Sequence, residues 1–196
     1  SDWTDKLGVR DGAWGWGSAF TDYDNDGDLD LFVTNGFIIP ETTFDDAWNV
    51  VPNKFWQNDG KLNMKEIGAD IGVDDVESGR GVSLIDFDGD GDQDIFVVNY
   101  AGKPRLYRND GGNANDYIRI RVEEGNGQHS IGAIVKVTVG DVTQMRVIGV
   151  GEGFAAQSEA VAHFGLGKLA AGTEVEVKVQ WPGKTTGTLT ITNPKI

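Results

Sequence analysis

The clearest periodicity along this chain is two. Glu174-Val175-Glu176-Val177-Lys178-Val179-Gln180-Trp181 alternates strictly between polar and apolar residues, as does Ile118-Arg119-Ile120-Arg121-Val122. Such alternation gives a strand one buried and one wet face, which predicts an antiparallel sandwich or barrel. Further β-runs are expected at 117–123, 131–139, 144–150, 161–165, 175–181 and 188–192. Earlier in the chain, Leu31-Phe32-Val33 and Ile95-Phe96-Val97-Val98 are short, continuous apolar runs, each read as a buried β-rich strand. Few helices are expected, the best candidate being a short helical turn near 42–49. The fold class that follows is all-β.

The two apolar runs belong to an internal repeat. Asp22-Tyr23-Asp24-Asn25-Asp26-Gly27-Asp28-Leu29-Asp30 recurs sixty-four positions later as Asp86-Phe87-Asp88-Gly89-Asp90-Gly91-Asp92-Gln93-Asp94. At the same offset Leu7-Gly8-Val9 matches Ile71-Gly72-Val73, Gly15 matches Gly79, and Asn35 matches Asn99. Phe55-Trp56-Gln57-Asn58-Asp59-Gly60 matches Leu106-Tyr107-Arg108-Asn109-Asp110-Gly111 at an offset of fifty-one, so the first unit carries an insertion of thirteen residues, at about 36–52. Each unit reads as strand, acidic turn, buried strand, third strand and Asn-Asp-Gly turn, the pattern of a β-propeller blade. Because a propeller needs about four to eight blades, two units cannot close a ring. The segment 1–9 aligns with the end of the first unit and is expected to be an orphan closing strand. It would pair with an open edge within one molecule or, by strand addition, with that of a neighbour, and the latter would support head-to-tail assembly.

The acidic turns carry the chemistry. Carboxylates at alternate positions around a glycine converge several hard oxygen ligands on one point, which suits calcium. The expected side-chain ligands are Asp22, Asp24, Asp26 and Asp30 in the first loop and Asp86, Asp88, Asp90 and Asp94 in the second, with Asp28 and Asp92 offering backbone carbonyls. An EF-hand is excluded, since Val33 and Val97 stand where its bidentate Glu belongs and β-type sequence follows. Without a cation the clustering is costly, because two carboxylates about 4 Å apart repel by roughly 1 kcal/mol in water and about 4 kcal/mol at an effective dielectric near 20.

Charge and composition narrow the partners. The chain has 196 residues and a net charge of −14, and two calcium ions would still leave it strongly acidic, which repels nucleic acid and anionic membranes. No apolar run is long enough to span a bilayer. Cysteine is absent, so neither disulfides nor thiol chemistry operate. Loops of this kind commonly bind calcium weakly, and millimolar calcium is found outside cells, so an extracellular or cell-surface setting is expected. The chain opens at Ser1 with neither a methionine nor a signal peptide, as expected of a processed or truncated product.

The motif Asp-x-Asp-x-Asp-Gly-x-x-Asp, followed by an apolar strand and an aromatic-x-Asn-Asp-Gly turn, resembles the FG-GAP/VCBS repeats of integrin-type propellers and bacterial surface proteins. That resemblance covers 1–112. From 113 to 196, Ile131-Gly132-Ala133, Gly151-Glu152-Gly153-Phe154, Gln157-Ser158, His163-Phe164-Gly165-Leu166-Gly167 and Trp181-Pro182-Gly183-Lys184 resemble the ASPIC/UnbV domain. The order of the parts is that of cartilage acidic protein-like proteins. The resemblance implies two calcium-binding repeats followed by a separate β-domain, and it implies no catalytic role.

Other constellations are weaker. His129 and His163 have no HExxH or Cys/His company, and a packed or hydrogen-bonded imidazole is the expected role of His163. Ser158 lacks a Gly-x-Ser-x-Gly elbow. Gly149-Val150-Gly151-Glu152-Gly153-Phe154 lacks both the third glycine and the βαβ unit of a dinucleotide site. The tryptophans are expected in blade cores. The expectation is a non-catalytic, calcium-binding structural or adhesive protein that self-associates, or meets a protein partner, through strand edges and the 36–52 insertion. The rival is a carbohydrate-recognising accessory module, or a fragment of a larger enzyme-associated propeller, using tryptophans and calcium to bind a polysaccharide.

Overall fold

A computed structural model describes residues 1–37, 50–149, 151, 153–183 and 186–192. The helical turn expected at 42–49, and most of the apolar insertion, lie outside the described residues. What is described is mainly β-structure in antiparallel sheets, as the alternation predicts, with no closed barrel among the described residues.

The first unit is a four-stranded sheet in the order β1 (Gly15–Thr21), β2 (Asp30–Asn35), β3 (Lys54–Asn58) and β4 (Met64–Glu66). The second is a three-stranded sheet of β5 (Gly79–Ile85), β6 (Asp94–Asn99) and β7 (Arg105–Tyr107). Each acidic loop is the tip of a hairpin, closed by Thr21↔Asp30 in one sheet and Ile85↔Asp94 in the other. The repeat extends to side-chain contacts. Asn35 Nδ2 donates to the carbonyl of Pro52 as Asn99 Nδ2 does to that of Lys103, and the Lys54–Asp11 ion pair has its counterpart in Arg105–Asp75.

The two sheets bury one apolar cluster between them. Phe32 and Phe55 from the first sheet meet Val82, Leu84, Ile95 and Val97 from the second, with Tyr23 and Tyr107 at the margin. Face choice follows strand parity: in β6, Ile95 and Val97 point inward while Phe96 and Val98 are exposed.

The expectation for the N-terminal strand fails. The opening segment is not a strand: Thr4–Leu7 form a one-turn helix, α1, ended by Gly8 at φ 74. The alignment with the first unit was sound, but the segment aligned is itself mostly turn. Only Met64–Glu66 are extended there, and Ile67–Val73 fold as the opening segment does. Leu7 N–H donates to the Trp3 carbonyl and Val9 N–H to Thr4, just as Ile71 donates to Ile67 and Val73 to Gly68, and Gly72 also has φ 74. A nine-residue strand donated from this end is therefore ruled out.

The remainder forms a second core. A sheet in the order β10 (Val142–Val147), β9 (Ile134–Val139), β12 (Glu174–Gln180), β13 (Thr186–Thr192) lies over the ribbon of β8 (Asp116–Ile120) and β11 (Ala162–Gly167). Between them are buried Val135, Val137, Phe164, Val175 and Val177 with their neighbours. All six β-runs expected here are strands, with ends shifted by a few residues. Among the described residues no helix is long and apolar enough to cross a membrane.

Candidate metal centres

Both acidic loops bend through left-handed positions. Gly27 and Gly91 have φ of 100 and 96, which supplies the sharp turn anticipated for glycine. Two positions earlier, Asn25 (φ 55) and Gly89 (φ 78) occupy the same conformation, which costs Asn a little and Gly nothing. The bends bring three carboxylates together in each loop, with oxygens within 4.8 Å of one another: Asp22, Asp24 and Asp26 in the first, Asp86, Asp88 and Asp94 in the second.

The other predicted residues are placed around these groups. Asp30 closes the first loop, accepting the Tyr23 and Asn58 amides at 3.1 and 2.8 Å; Asp94 does the same with Phe87 and Asn109 at 3.0 and 2.8 Å. Asp26 accepts the amide of Asp28, and Asp90 that of Asp92, so the side chain before each backbone candidate orients its peptide. The Asp92 carboxylate is buried and accepts Asn25 Nδ2 at 3.0 Å.

The loops differ in what compensates their charge. Arg119, from β8, places Nη1 2.7 Å from Asp86 Oδ2 and also pairs with Glu159. Both aspartates accept a loop glycine amide, Gly27 for Asp22 and Gly91 for Asp86, but in place of a guanidinium Asp22 receives the amide of Gly165. Burial pushes Asp22 up to about 7 despite those two hydrogen bonds, with Asp26 adding repulsion, and burial pushes Asp30 up to about 8. Asp24 and Asp28 are raised by burial and by the neighbouring Asp26. Asp24 Oδ1 is buried without a hydrogen-bond partner, while Oδ2 accepts Gln57 Nε2 at 3.0 Å. A desolvated anionic oxygen without a donor, beside two further carboxylates, fits a cation ligand.

The first loop is also where the two halves of the chain meet, which spacing alone did not reveal. Gly165 N–H donates to Asp22 Oδ2 at 3.0 Å, Gly167 N–H to the Asn25 carbonyl at 2.9 Å, and Asn115 Nδ2 to the Asp24 carbonyl at 2.8 Å. Asn25 lies at the junction: its Nδ2 reaches Asp92 of the second loop and its Oδ1 is 2.6 Å from His163 Nε2. An amide oxygen only accepts, so Nε2 carries the proton. Burial, with Arg119 and Arg146 nearby, pushes His163 down to about 3, so the ring is neutral. The one signal in the sequence was Asn25 itself, a side chain kept at a left-handed position where the second loop has Gly89.

These shifts carry a pH prediction for the metal-free chain. Asp22 and Asp30 titrate near 7 and 8 when folded but near 3.8 when unfolded, so their stabilising effect is complete at low pH and is lost as pH rises through those folded values. His163 opposes this only below its ordinary value of 6.5, where the unfolded chain takes up a proton that the folded chain does not. In chelator, melting temperature is therefore expected to fall between about pH 6.5 and 8.5, and in saturating calcium that slope is expected to vanish. Differential scanning fluorimetry across that range checks both.

Elsewhere, Ser158 Oγ accepts the Leu84 amide at 3.0 Å, beside the bond from Val82 N–H to the Gly153 carbonyl; the 153–159 segment thus lies along β5. Trp56 is buried, and Trp16 is held by the Gly36 carbonyl and by Arg80 over its ring. Trp3 and Trp14 are exposed, contrary to a core role for every tryptophan.

Residues 86–144 match the FG-GAP-like repeat family, and residues 123–195 match the ASPIC and UnbV family. The two matches overlap at residues 123–144. The first acidic loop precedes the matched FG-GAP-like span and is tied to it by the internal repeat. Similar curated proteins are cartilage acidic protein 1 of Homo sapiens and of Mus musculus, each 28% identical over 165 residues, and that of Xenopus tropicalis, 27% identical over 170 residues. Each alignment covers 82% of this chain and 24% of the relative, so the chain spans about a quarter of the relatives' length.

Proposed function

We propose that this chain is a calcium-stabilised, non-catalytic structural or adhesive module of the extracellular space or cell surface. The observation that carries the reading is the pair of carboxylate groups at equivalent hairpin tips, one of them desolvated and holding a buried oxygen without a donor. An all-oxygen set rich in carboxylates suits calcium better than zinc, which takes nitrogen and sulfur, or magnesium, which keeps its waters. Asp22, Asp24, Asp26 and Asp30 would serve one ion and Asp86, Asp88, Asp90 and Asp94 the other, with the carbonyls of Asp28 and Asp92. Calcium's work is to hold the loops on which both halves of the chain rest, with the boundary between the halves near residue 112. The relatives' name points to a matrix tissue and an acidic protein, and the net charge of −14 agrees with the second word.

Isothermal titration calorimetry tests the reading. Two ions are expected per chain, with Asp26→Ala and Asp90→Ala each losing one and keeping the other. A wild-type chain that takes up no calcium would sink the proposal.

A further inference from the structure

The two halves of the chain do not fill all the space between them. β1 and the end of β5 form one side of a cavity, and β10 with the 153–163 segment forms the other. Its volume is ≈ 440 Å³, inside the range of about 300–1,000 Å³ usual for small-molecule sites. The wall is mixed: Phe20, Leu84 and Met145 give it apolar surface, and Arg146, Gln93 and Ser158 give it polar groups.

Those polar groups are rich in unused donors. Ser158 Oγ accepts the Leu84 amide, which leaves its hydroxyl proton to give, and Gln93 Oε1 accepts Thr21 Oγ1 at 3.1 Å, which leaves its amide nitrogen unused. Arg146 donates only to neutral oxygens, Nη1 to the Met145 carbonyl at 3.1 Å and Nη2 to Gln144 Oε1 at 3.2 Å. Among the described residues no carboxylate pairs with it, although Arg10, Arg105, Arg108 and Arg119 each have one. The chain holds 31 acidic residues against 17 basic ones, so such partners are not scarce. A half-buried guanidinium without a counter-ion is costly, and burial holds its pKa below the ordinary arginine value. It is nevertheless fixed in place. The Phe164 ring lies 5.0 Å from it, and Gln144, which accepts from it, is anchored by Nε2 donating to the Gly165 carbonyl at 2.6 Å. The acid in the wall, Glu159, is already held by Arg119 at 2.5 Å.

We propose that this cavity binds a small organic carboxylate, its anionic end taken by Arg146 with Gln93 and Ser158 as further donors, and its apolar body against Phe20, Leu84 and Met145. A carboxylate offers only acceptors, which is what spare donors require, and its pairing with a guanidinium is charge-assisted and matched in shape. The apolar wall favours a carboxylate with a hydrocarbon body over a bare inorganic anion, because burying that body adds to the charge pairing. The net charge of −14 does not prevent binding. At physiological ionic strength charges beyond about 8 Å are largely screened, whereas Arg146 acts at contact. The site stands on Arg146 and not on the acidic loops, so it holds or fails independently of calcium binding.

Methyl NMR tests it, because the chain has two methionines, Met145 in the cavity wall and Met64 in β4. The full chain, labelled at both methionine methyls, is titrated with phenylacetate up to about 10 mM, and separately with phenylacetamide as its uncharged match. The Met145 signal is expected to move with a dissociation constant of about 0.1–1 mM while that of Met64 stays still. Phenylacetamide, and phenylacetate on Arg146→Gln, are each expected to bind at least about tenfold more weakly, the effect of losing a hydrogen bond between charged groups. Ser18→Trp, at an exposed position of the wall, is expected to fill the cavity and abolish the shift, so the site is tested even where Arg146→Gln fails to fold. A still Met145 signal, or equal shifts of both methionines, would overturn the proposal. Phenylacetamide binding as tightly as phenylacetate, or undiminished binding by folded Arg146→Gln or by Ser18→Trp, would overturn it as well.

Discussion

In excess EGTA the chain is expected to melt roughly 5–10 °C lower for each calcium site emptied. The figure comes from mass action: free calcium at about a hundred times the dissociation constant adds roughly 2.7 kcal/mol per site, and a chain of this size loses about 2–4 °C per kcal/mol. The two losses are not expected to be equal. Arg119 compensates Asp86 in the second loop, whereas Asp22 of the first has the Gly165 amide in place of a guanidinium and Asp24 keeps a buried oxygen without a donor. Emptying the first loop also leaves repelling carboxylates under the strand that joins the two halves. Titrating chelator while following near-ultraviolet circular dichroism is expected to resolve a larger and a smaller step. Asp26→Ala is expected to remove the larger one. An unchanged melt in EGTA would refute a stabilising role for calcium.

Gly165→Ala is the single substitution expected to uncouple the halves. The Cβ it adds would lie 2.4 Å from both the Asn25 carbonyl carbon and Asp22 Oδ2, and 2.5 Å from the Asn25 Cα. Two of those atoms are backbone, so no rotamer relieves the contact, and overpacking of this kind costs about 1–3 kcal/mol. Separating β11 from the first loop also removes the Gly165 amide from Asp22 and disturbs the bonds from Gly167 to Asn25 and from His163 to Asn25. A melting temperature lower by roughly 5 °C is expected, together with about tenfold weaker calcium binding at the first loop, since a hydrogen bond to a charged group contributes about 1.5–3 kcal/mol. The second site is expected to be unaffected. Gly125→Ala is the control, because nothing lies within 4 Å of its added Cβ. Equal effects of the two substitutions would show that β11 does not support the loop.

The sequence by itself determined the all-β class, the two units at an offset of sixty-four, the acidic hairpin tips and the six later strands. All of these are encoded locally: period two selects a face, alternate Asp around Gly selects a tight acidic turn, and each signal is complete within about ten residues. Even the misjudged opening segment was aligned with the right stretch, and only its conformation was misread, because three extended residues were taken for nine. Tertiary structure decided what the copies do differently. Phe32 and Phe96 occupy equivalent positions, yet one is fully buried and the other exposed, since burial depends on which sheet lies beside a strand. Asp22 and Asp86 read alike, yet one is met by an amide from β11 and the other by a guanidinium from β8. The Asn25–His163 contact spans 138 positions. Periodicity cannot register such pairs, because their separation in the chain is set by the path between the halves and not by the repeat within them.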